Sequence, residues 1–230
     1  MQAMTTRIAS YNIRKSVGLD YRRDPARVLS VLKAINPDIV ALQEVDRRFG
    51  SRTSSLPRPL IAAETELEIV DLAPRPQSIG WHGNAILLRK GTQVQATHTL
   101  ALPGLEPRGA VVVELAALRV VGLHLSLRRK ERQMQVAAIA GFLAKLAPLP
   151  TVIMGDFNEW SRQNRNLSAL DSQFRLHTPG HSYPTLRPMV GLDKIALSHE
   201  LTLEQGGVHQ CRSAKMASDH MPIWADISAP

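Results

Sequence analysis

The chain has 230 residues, 44% of them hydrophobic and 21% charged, the proportions of an ordinary soluble globular protein. Its 28 Lys and Arg against 20 Asp and Glu leave a formal net charge of +8, which favours phosphate-bearing partners, whether nucleic acid or an anionic lipid surface. The longest apolar runs, such as 110–113 and 120–123, are strand-sized and exclude a membrane-spanning helix. Residues 1–7 lack the apolar stretch of a secretory leader, and the lone Cys211, which allows no internal disulfide, fits a reducing cytoplasm.

Taken in chain order, residues 6–12 read as a first strand that runs into a polar loop at Gly18. Asp24-Pro25 sets an N-cap residue before proline at the first helical position. Val28, Leu29, Val31, Leu32 and Ile35 give that helix an apolar face, and Asn36-Pro37 ends it. A short buried strand at 39–43 leads to Glu44, a surface loop follows at 47–59, then a short helix at 60–66 and a strand at 68–73. Strands are expected at 81–89, 93–100, 110–115 and 119–125, with turns at Gly91 and Gly104. A second long helix spans 131–146 with Met134, Ala137, Ala138, Phe142 and Leu146 on its apolar face, stopped by Pro148 and Pro150. The strand 151–154 ends at Gly155-Asp156, residues 158–189 are loop-rich, and 192–198, 201–205 and 223–227 complete the strands. No repeat, low-complexity tract or linker divides the chain, so 1–230 reads as one domain. Two helices that each cover a sheet, with hairpin-like strands between them, point to an α/β sandwich: two packed, mixed and mostly antiparallel sheets with helices outside.

One feature recurs along this pattern. Hydrophobic strands run into an acid, an amide or an imidazole: Asn12, Glu44, His124, Asp156 with Asn158, Asp193, and Asp219 with His220. Strand ends at one edge of a sandwich converge such groups on rigid supports. The residue types suit phosphodiester cleavage, in which a Lewis acid offsets charge on the non-bridging oxygens. A hard divalent ion prefers oxygen, which makes Glu44 the first metal ligand with the Asn12 amide oxygen beside it. Asp156 is then placed to orient or deprotonate water, Asn158 to bond a phosphate oxygen, and Asp193 with His220 to form an acid–base pair. Arg14 and Lys15, next to Asn12, are the phosphate-contact candidates.

The segments Ser10-Tyr11-Asn12-Ile13, Ala41-Leu42-Gln43-Glu44, Gly83-Asn84-Ala85-Ile86-Leu87-Leu88, His124-Leu125, Gly155-Asp156-Phe157-Asn158, Leu192-Asp193-Lys194-Ile195 and Ser218-Asp219-His220-Met221-Pro222-Ile223 stand in this order across nearly the whole chain. Together they resemble the endonuclease/exonuclease/phosphatase superfamily of DNase I-like nucleases and related phosphatases. Gly18-Leu19-Asp20, His124-Leu125-Ser126-Leu127, Arg132-Gln133 and Tyr183-Pro184-Thr185 look like a compact bacterial branch of it. The resemblance implies a four-layer α/β sandwich and dependence on Mg²⁺ or Mn²⁺. It implies Glu44 as principal metal ligand, Asn12 near metal and water, and Asp219 at the metal or its water shell. It further implies that Asp156 and Asn158 orient the nucleophile and stabilise the phosphorane, that Asp193 and His220 contact the phosphate or activate water, and that His124 assists the leaving group. The chain departs from the pattern at Gly122 and Leu123, and no carboxylate is evident to orient His124; Asn84 is the candidate substitute.

Other features carry less. Arg128, Arg129, Lys130 and Arg132 read first as a solvated face, and Trp160, just past Asn158, as a rim residue that can stack on a base or lipid. The expected activity is a metal-dependent phosphodiesterase acting on nucleic acid, with phospholipid head groups or small phosphate esters as the alternative.

Overall fold

The structure, a computed structural model, describes residues 5–47, 50–161 and 163–229. Arg48, which the sequence places on the 47–59 loop, lies outside these. Chain order runs β1 (Thr5–Asn12), α1 (Pro25–Ile35), β2 (Ile39–Gln43), α2 (Arg58–Glu64), β3 (Leu67–Ile69), β4 (Ala85–Arg89), β5 (Ala96–Leu102), β6 (Arg108–Glu114) and β7 (Arg119–His124). It continues with α3 (Arg129–Leu143), β8 (Thr151–Asp156), β9 (Phe174–His177), β10 (Asp193–Ser198), β11 (Thr202–Val208), α4 (Ala214–Ala217) and β12 (Ile223–Ser228).

The strands form two six-stranded sheets, ordered β11-β12-β1-β2-β4-β3 and β5-β6-β7-β8-β10-β9. Pairing is antiparallel except for β1 with β2 and β7 with β8, as expected of mixed sheets. Side-chain alternation along each strand explains the four layers. In β2, Ile39 and Ala41 enter the core between the sheets, while Val40 and Leu42 pack under the helices α1 and α2. In β6, Val111 and Val113 face the first sheet, while Ala110 and Val112 face α3. Both faces are covered, so these strands read as continuous apolar runs. No helix among the described residues is long and apolar enough to cross a membrane.

The α1 boundaries fall where capping chemistry puts them. The Asp24 carboxylate accepts from Arg27 N at 3.0 Å, and Asn36 closes the helix in the left-handed region. Elsewhere the elements differ from expectation. Residues 81–84 form a turn rather than the start of β4, because His82 and Gly83 both take positive φ, 46° and 81°. A strand, β9, and a 3-10 segment at Arg165–Leu170 emerge in the stretch read as loop. The largest correction is the buried face of α3: it presents Glu131, Arg132, Gln135, Val136, Ile139 and Leu143, and Met134 is 49% exposed.

Candidate active site

Six strand ends meet at one edge of the sandwich, and backbone pairing sets their relative heights. Asn12 is the register partner of Gln43, so Glu44 stands one residue beyond Asn12 on the adjoining strand. In the second sheet His124, Asp156 and Asp193 are direct partners on β7, β8 and β10, a single rung of three. Asp219 and His220 precede β12, which runs antiparallel to β1 and returns them to the same end. Asn12 joins the two sheets, its Nδ2 donating to Asp156 Oδ2 at 3.1 Å.

Asp156 is the hub. Its Oδ1 accepts from Asn158 N at 3.0 Å, and its Oδ2 also lies 3.3 Å from His124 Nε2 and 3.7 Å from His220 Nε2. The other His220 nitrogen, Nδ1, is 2.9 Å from Asp193 Oδ2, which accepts from Ser182 Oγ at 2.5 Å. The Tyr183 ring packs on His220 with centroids 4.8 Å apart, and Trp160, 54% exposed, packs edge-on against Tyr183. Asp156, Asp193 and His220 each present one ligand-type atom within 4.8 Å of the others. Asn158, at φ 50°, commits an Nδ2 hydrogen to Leu125 O at 2.9 Å, tying the loop after β8 to the end of β7.

On the first sheet Glu44 takes φ 55°, a conformation that costs an L-residue about 1 kcal/mol or more. Two backbone bonds hold it there: Val45 N donates to Gly83 O and Lys15 N to Glu44 O, each at 3.0 Å. Arg14, Lys15 and Ser16 are also left-handed. That turn brings the Lys15 ammonium onto the Glu44 carboxylate and Arg14 Nε to 3.4 Å from Asp219 Oδ2.

The two histidines are driven apart electrostatically. Burial pushes His124 down to about 4, against the attraction of Asp156. Burial also acts to lower His220, but Asp193 and Asp156 overcome it and lift the imidazole to about 10. Near neutrality His124 is therefore neutral and His220 an imidazolium. Burial acts to raise the Glu44 carboxyl, yet the fields of His124 and Lys15 prevail and hold it below its usual value.

The structure thus gathers Asn12, Glu44, His124, Asp156, Asn158, Asp193, Asp219 and His220 at one edge, with Arg14 and Lys15 beside them. Asn84 does not orient His124: its amide donates to Gly109 O at 3.0 Å, and its buried Oδ1 has no partner among the described residues. Arg132 leaves the basic face assigned to it. It is buried, donating to Ser126 O and Leu127 O, with Nε 3.6 Å from the buried Glu159. Sequence reasoning missed Ser182 and Glu159 and gave Tyr183 no role at the site, because their contacts come from loops with no periodic pattern.

Comparison with known proteins agrees with the fold. The sequence profile of the Endonuclease/Exonuclease/phosphatase family matches residues 9–220. The uncharacterized Escherichia coli K12 protein YbhP is 31% identical over 162 residues, covering 64% of this chain but only 63% of its own length. An endonuclease/exonuclease/phosphatase family protein from Bacteroides thetaiotaomicron superposes with a TM-score of 0.77 at 17% identity, covering 100% of both chains. D. rerio TDP2, solved with a single-strand DNA product, gives 0.72 at 18% identity over 98% of this chain and 99% of its own. The B. thetaiotaomicron mannosyl-6-phosphatase Bt3783 gives 0.73 at 16% identity over 96% and 99%. At these identities the solved structures share the fold. The profile match spans most of the chain, and the chain belongs to the endonuclease/exonuclease/phosphatase family, whose members are phosphoester hydrolases.

Proposed function

We propose that the protein is a divalent-metal-dependent phosphodiesterase acting on nucleic acid, with its catalytic set centred on Asp156. The observation that carries the proposal is the meeting at Asp156 Oδ2 of groups from both sheets: Asn12, His124 and His220. The excess of positive charge suits a polyanion, and the TDP2 relative was solved with single-strand DNA product.

The donor set fits Mg²⁺ or Mn²⁺. Glu44 and the Asn12 amide oxygen are hard oxygen ligands, Asp219 adds a carboxylate nearby, and both acids face cationic groups in this fold, Lys15 and Arg14. When bound there, such an ion supplies a Lewis acid against charge on the non-bridging phosphate oxygens. The side chains do the rest. Asp156 Oδ2 orients the attacking water and accepts its proton. Asp193 fixes His220 through Nδ1, leaving the imidazolium Nε2–H to donate to a phosphate oxygen. The free amide hydrogen of Asn158 serves a second oxygen, Arg14 and Lys15 hold the phosphate, and His124 faces the leaving group.

A second reading, hydrolysis of phospholipid head groups, is favoured by the exposed Leu127, Trp160, Leu186 and Met189, which lie on the loops around His124, Asn158 and His220. Plasmid nicking and oligonucleotide cleavage with Mg²⁺ or Mn²⁺, run beside phosphate release from phosphoinositides, separate the two. Nucleic acid cleavage that disappears in Glu44→Ala, with Mn²⁺ affinity down at least about tenfold by calorimetry, is the expected result. Turnover of lipid esters alone favours the second reading. No turnover of any ester with either ion overturns both.

A further inference from the structure

Beside the Asp156 cluster lies a cavity of about 290 Å³, and of its lining the catalytic reading uses only Lys15, Glu44 and His124. Glu44 and His124 form the wall it shares with the cluster, and Arg52, His82 and Arg108 stand on its other side. His124 joins the cavity to the cluster: it lines the cavity, and its Nε2 lies 3.3 Å from Asp156 Oδ2. If His124 serves the leaving group, the cavity receives whatever that group carries.

The charges in the cavity are poorly balanced. Three acids line it, and each is already engaged: Glu44 with Lys15, Glu106 with Arg108 at 2.8 Å, and Asp46 with Ser78 Oγ and Ile79 N. Asp46 is turned into the protein and buried. Arg52 acts on Asp46 and His82 through space yet forms no ion pair among the described residues. Arg108 reaches His124 in the same way. The His82 Nδ1 atom is buried with no hydrogen-bond partner among the described residues, and burial and Arg52 hold the imidazole below its ordinary value.

The backbone is built to hold His82 there. It sits at φ 46° in the turn closed by Trp81 N to Asn84 O at 2.8 Å and Asn84 N to Trp81 O at 2.9 Å. Position 109 must be glycine for the turn to seat, because a Cβ there would lie 2.8 Å from Trp81 and 3.1 Å from the His82 ring. The same turn supports Glu44 through Gly83 O. Strain at a non-glycine residue persists where surroundings enforce it, and here it fixes the His82 imidazole in the cavity wall, within the field of Arg52.

We propose that this cavity is a second anion subsite, in which Arg52 and Arg108 hold a phosphate carried by the leaving portion of the substrate. The inference rests on the phosphodiesterase reading and narrows it to diesters with a second phosphate next to the scissile one. A nucleic acid strand supplies that chemistry, and so does a phosphorylated lipid head group. Bidentate guanidinium contacts suit a phosphate at such a site.

Binding tests the subsite without turnover. Inorganic pyrophosphate is titrated by calorimetry into wild type, Arg52→Ala and Lys33→Ala in EDTA, with melting curves to confirm folding. Lys33→Ala removes the same charge from the far end of α1. Affinity is expected to fall about tenfold in Arg52→Ala and to hold in Lys33→Ala. Equal affinity in Arg52→Ala, or an equal loss in both variants, overturns the proposal. Turnover then identifies the source of the phosphate: the dinucleotide TpT is compared with its terminally phosphorylated forms, and phosphatidylinositol with its 4-phosphate. A gain of about tenfold in kcat/KM for the phosphorylated member of either pair, collapsing in Arg52→Ala, supports the subsite. A gain that survives that substitution overturns it. Failure of the wild type to cleave any of these defeats the catalytic reading, while pyrophosphate binding still decides the subsite.

Discussion

Asp156 holds Asn158 N with one oxygen and meets Asn12, His124 and His220 with the other, so an isosteric amide tests its charge with little change of shape. Asp156→Asn is expected to lower kcat by about 10³-fold, and His220→Ala by about 10²-fold or more, with circular dichroism confirming that both variants fold. Near-normal rates in single-turnover assays of either variant contradict the assigned roles. The histidines also set a pH signature. His124 titrates near 6.5 when unfolded but is pushed down to about 4 in the fold. Between those values the unfolded chain binds the extra proton, so stability falls as pH drops from 6.5 and levels off below about 4. His220 acts in the opposite sense: raised to about 10, its contribution is complete below 6.5 and fades as pH climbs toward 10. Melting curves in EDTA are expected to show a shallower acid limb in His124→Asn and a shallower alkaline limb in His220→Gln; slopes identical to wild type remove these groups as the cause. These residues were legible in sequence because each ends or borders an apolar strand. Ser182 was not. A serine in a loop gains its meaning only from the Asp193 carboxylate it meets across eleven residues of chain.

At the scale of elements, α1 was read correctly because its signals are local: the Asp24 cap, Pro25 at the first position and the left-handed Asn36 stop. The face of α3 was misread because its buried polar residues serve the loop after His124. Gln135 Oε1 accepts from Ser126 N at 2.8 Å and Glu131 Oε2 from Ser126 Oγ at 2.6 Å, so this helix buries amide and carboxylate where the apolar pattern sought Met134. Its polar side fastens the strand end that presents His124. Two substitutions measure how unevenly stability is distributed. Asp24→Ala removes one cap and is expected to cost about 1 kcal/mol in urea melts. Gly155→Ala is expected to cost about 3 kcal/mol or more, because a Cβ there collides with the Leu123 carbonyl and forces β7 from β8. A loss below about 1 kcal/mol for Gly155→Ala means the strands separate easily, and the rung from His124 to Asp193 is less rigid than argued.

For the whole molecule, the layered fold was readable from alternating apolar strands, whereas β9 and the short helical turns were hidden in a stretch where long-range pairing, not local pattern, decides. Charge acts at this scale too. If Arg14, Lys15, Arg52 and Arg108 each neutralise one phosphate of a single strand, the log–log slope of affinity against salt should be about −3, at about 0.7 per contact. A slope near zero in fluorescence titrations of a short oligonucleotide argues that the excess positive charge of the chain serves some other purpose.

The first sheet places β12 between β11 and β1, so an interior slot is filled by residues 223–228 while its neighbour β1 comes from residues 5–12. During synthesis β1 must wait, with one flank open, until residues 223–228 have left the ribosome. The pocket edge that Asn12 and Glu44 share with Asp219 and His220 is completed by that same late arrival. A nascent chain stalled short of residue 223 should therefore be protease-sensitive and inert, and hydrolytic competence should appear abruptly once residues 223–228 emerge rather than grow with length.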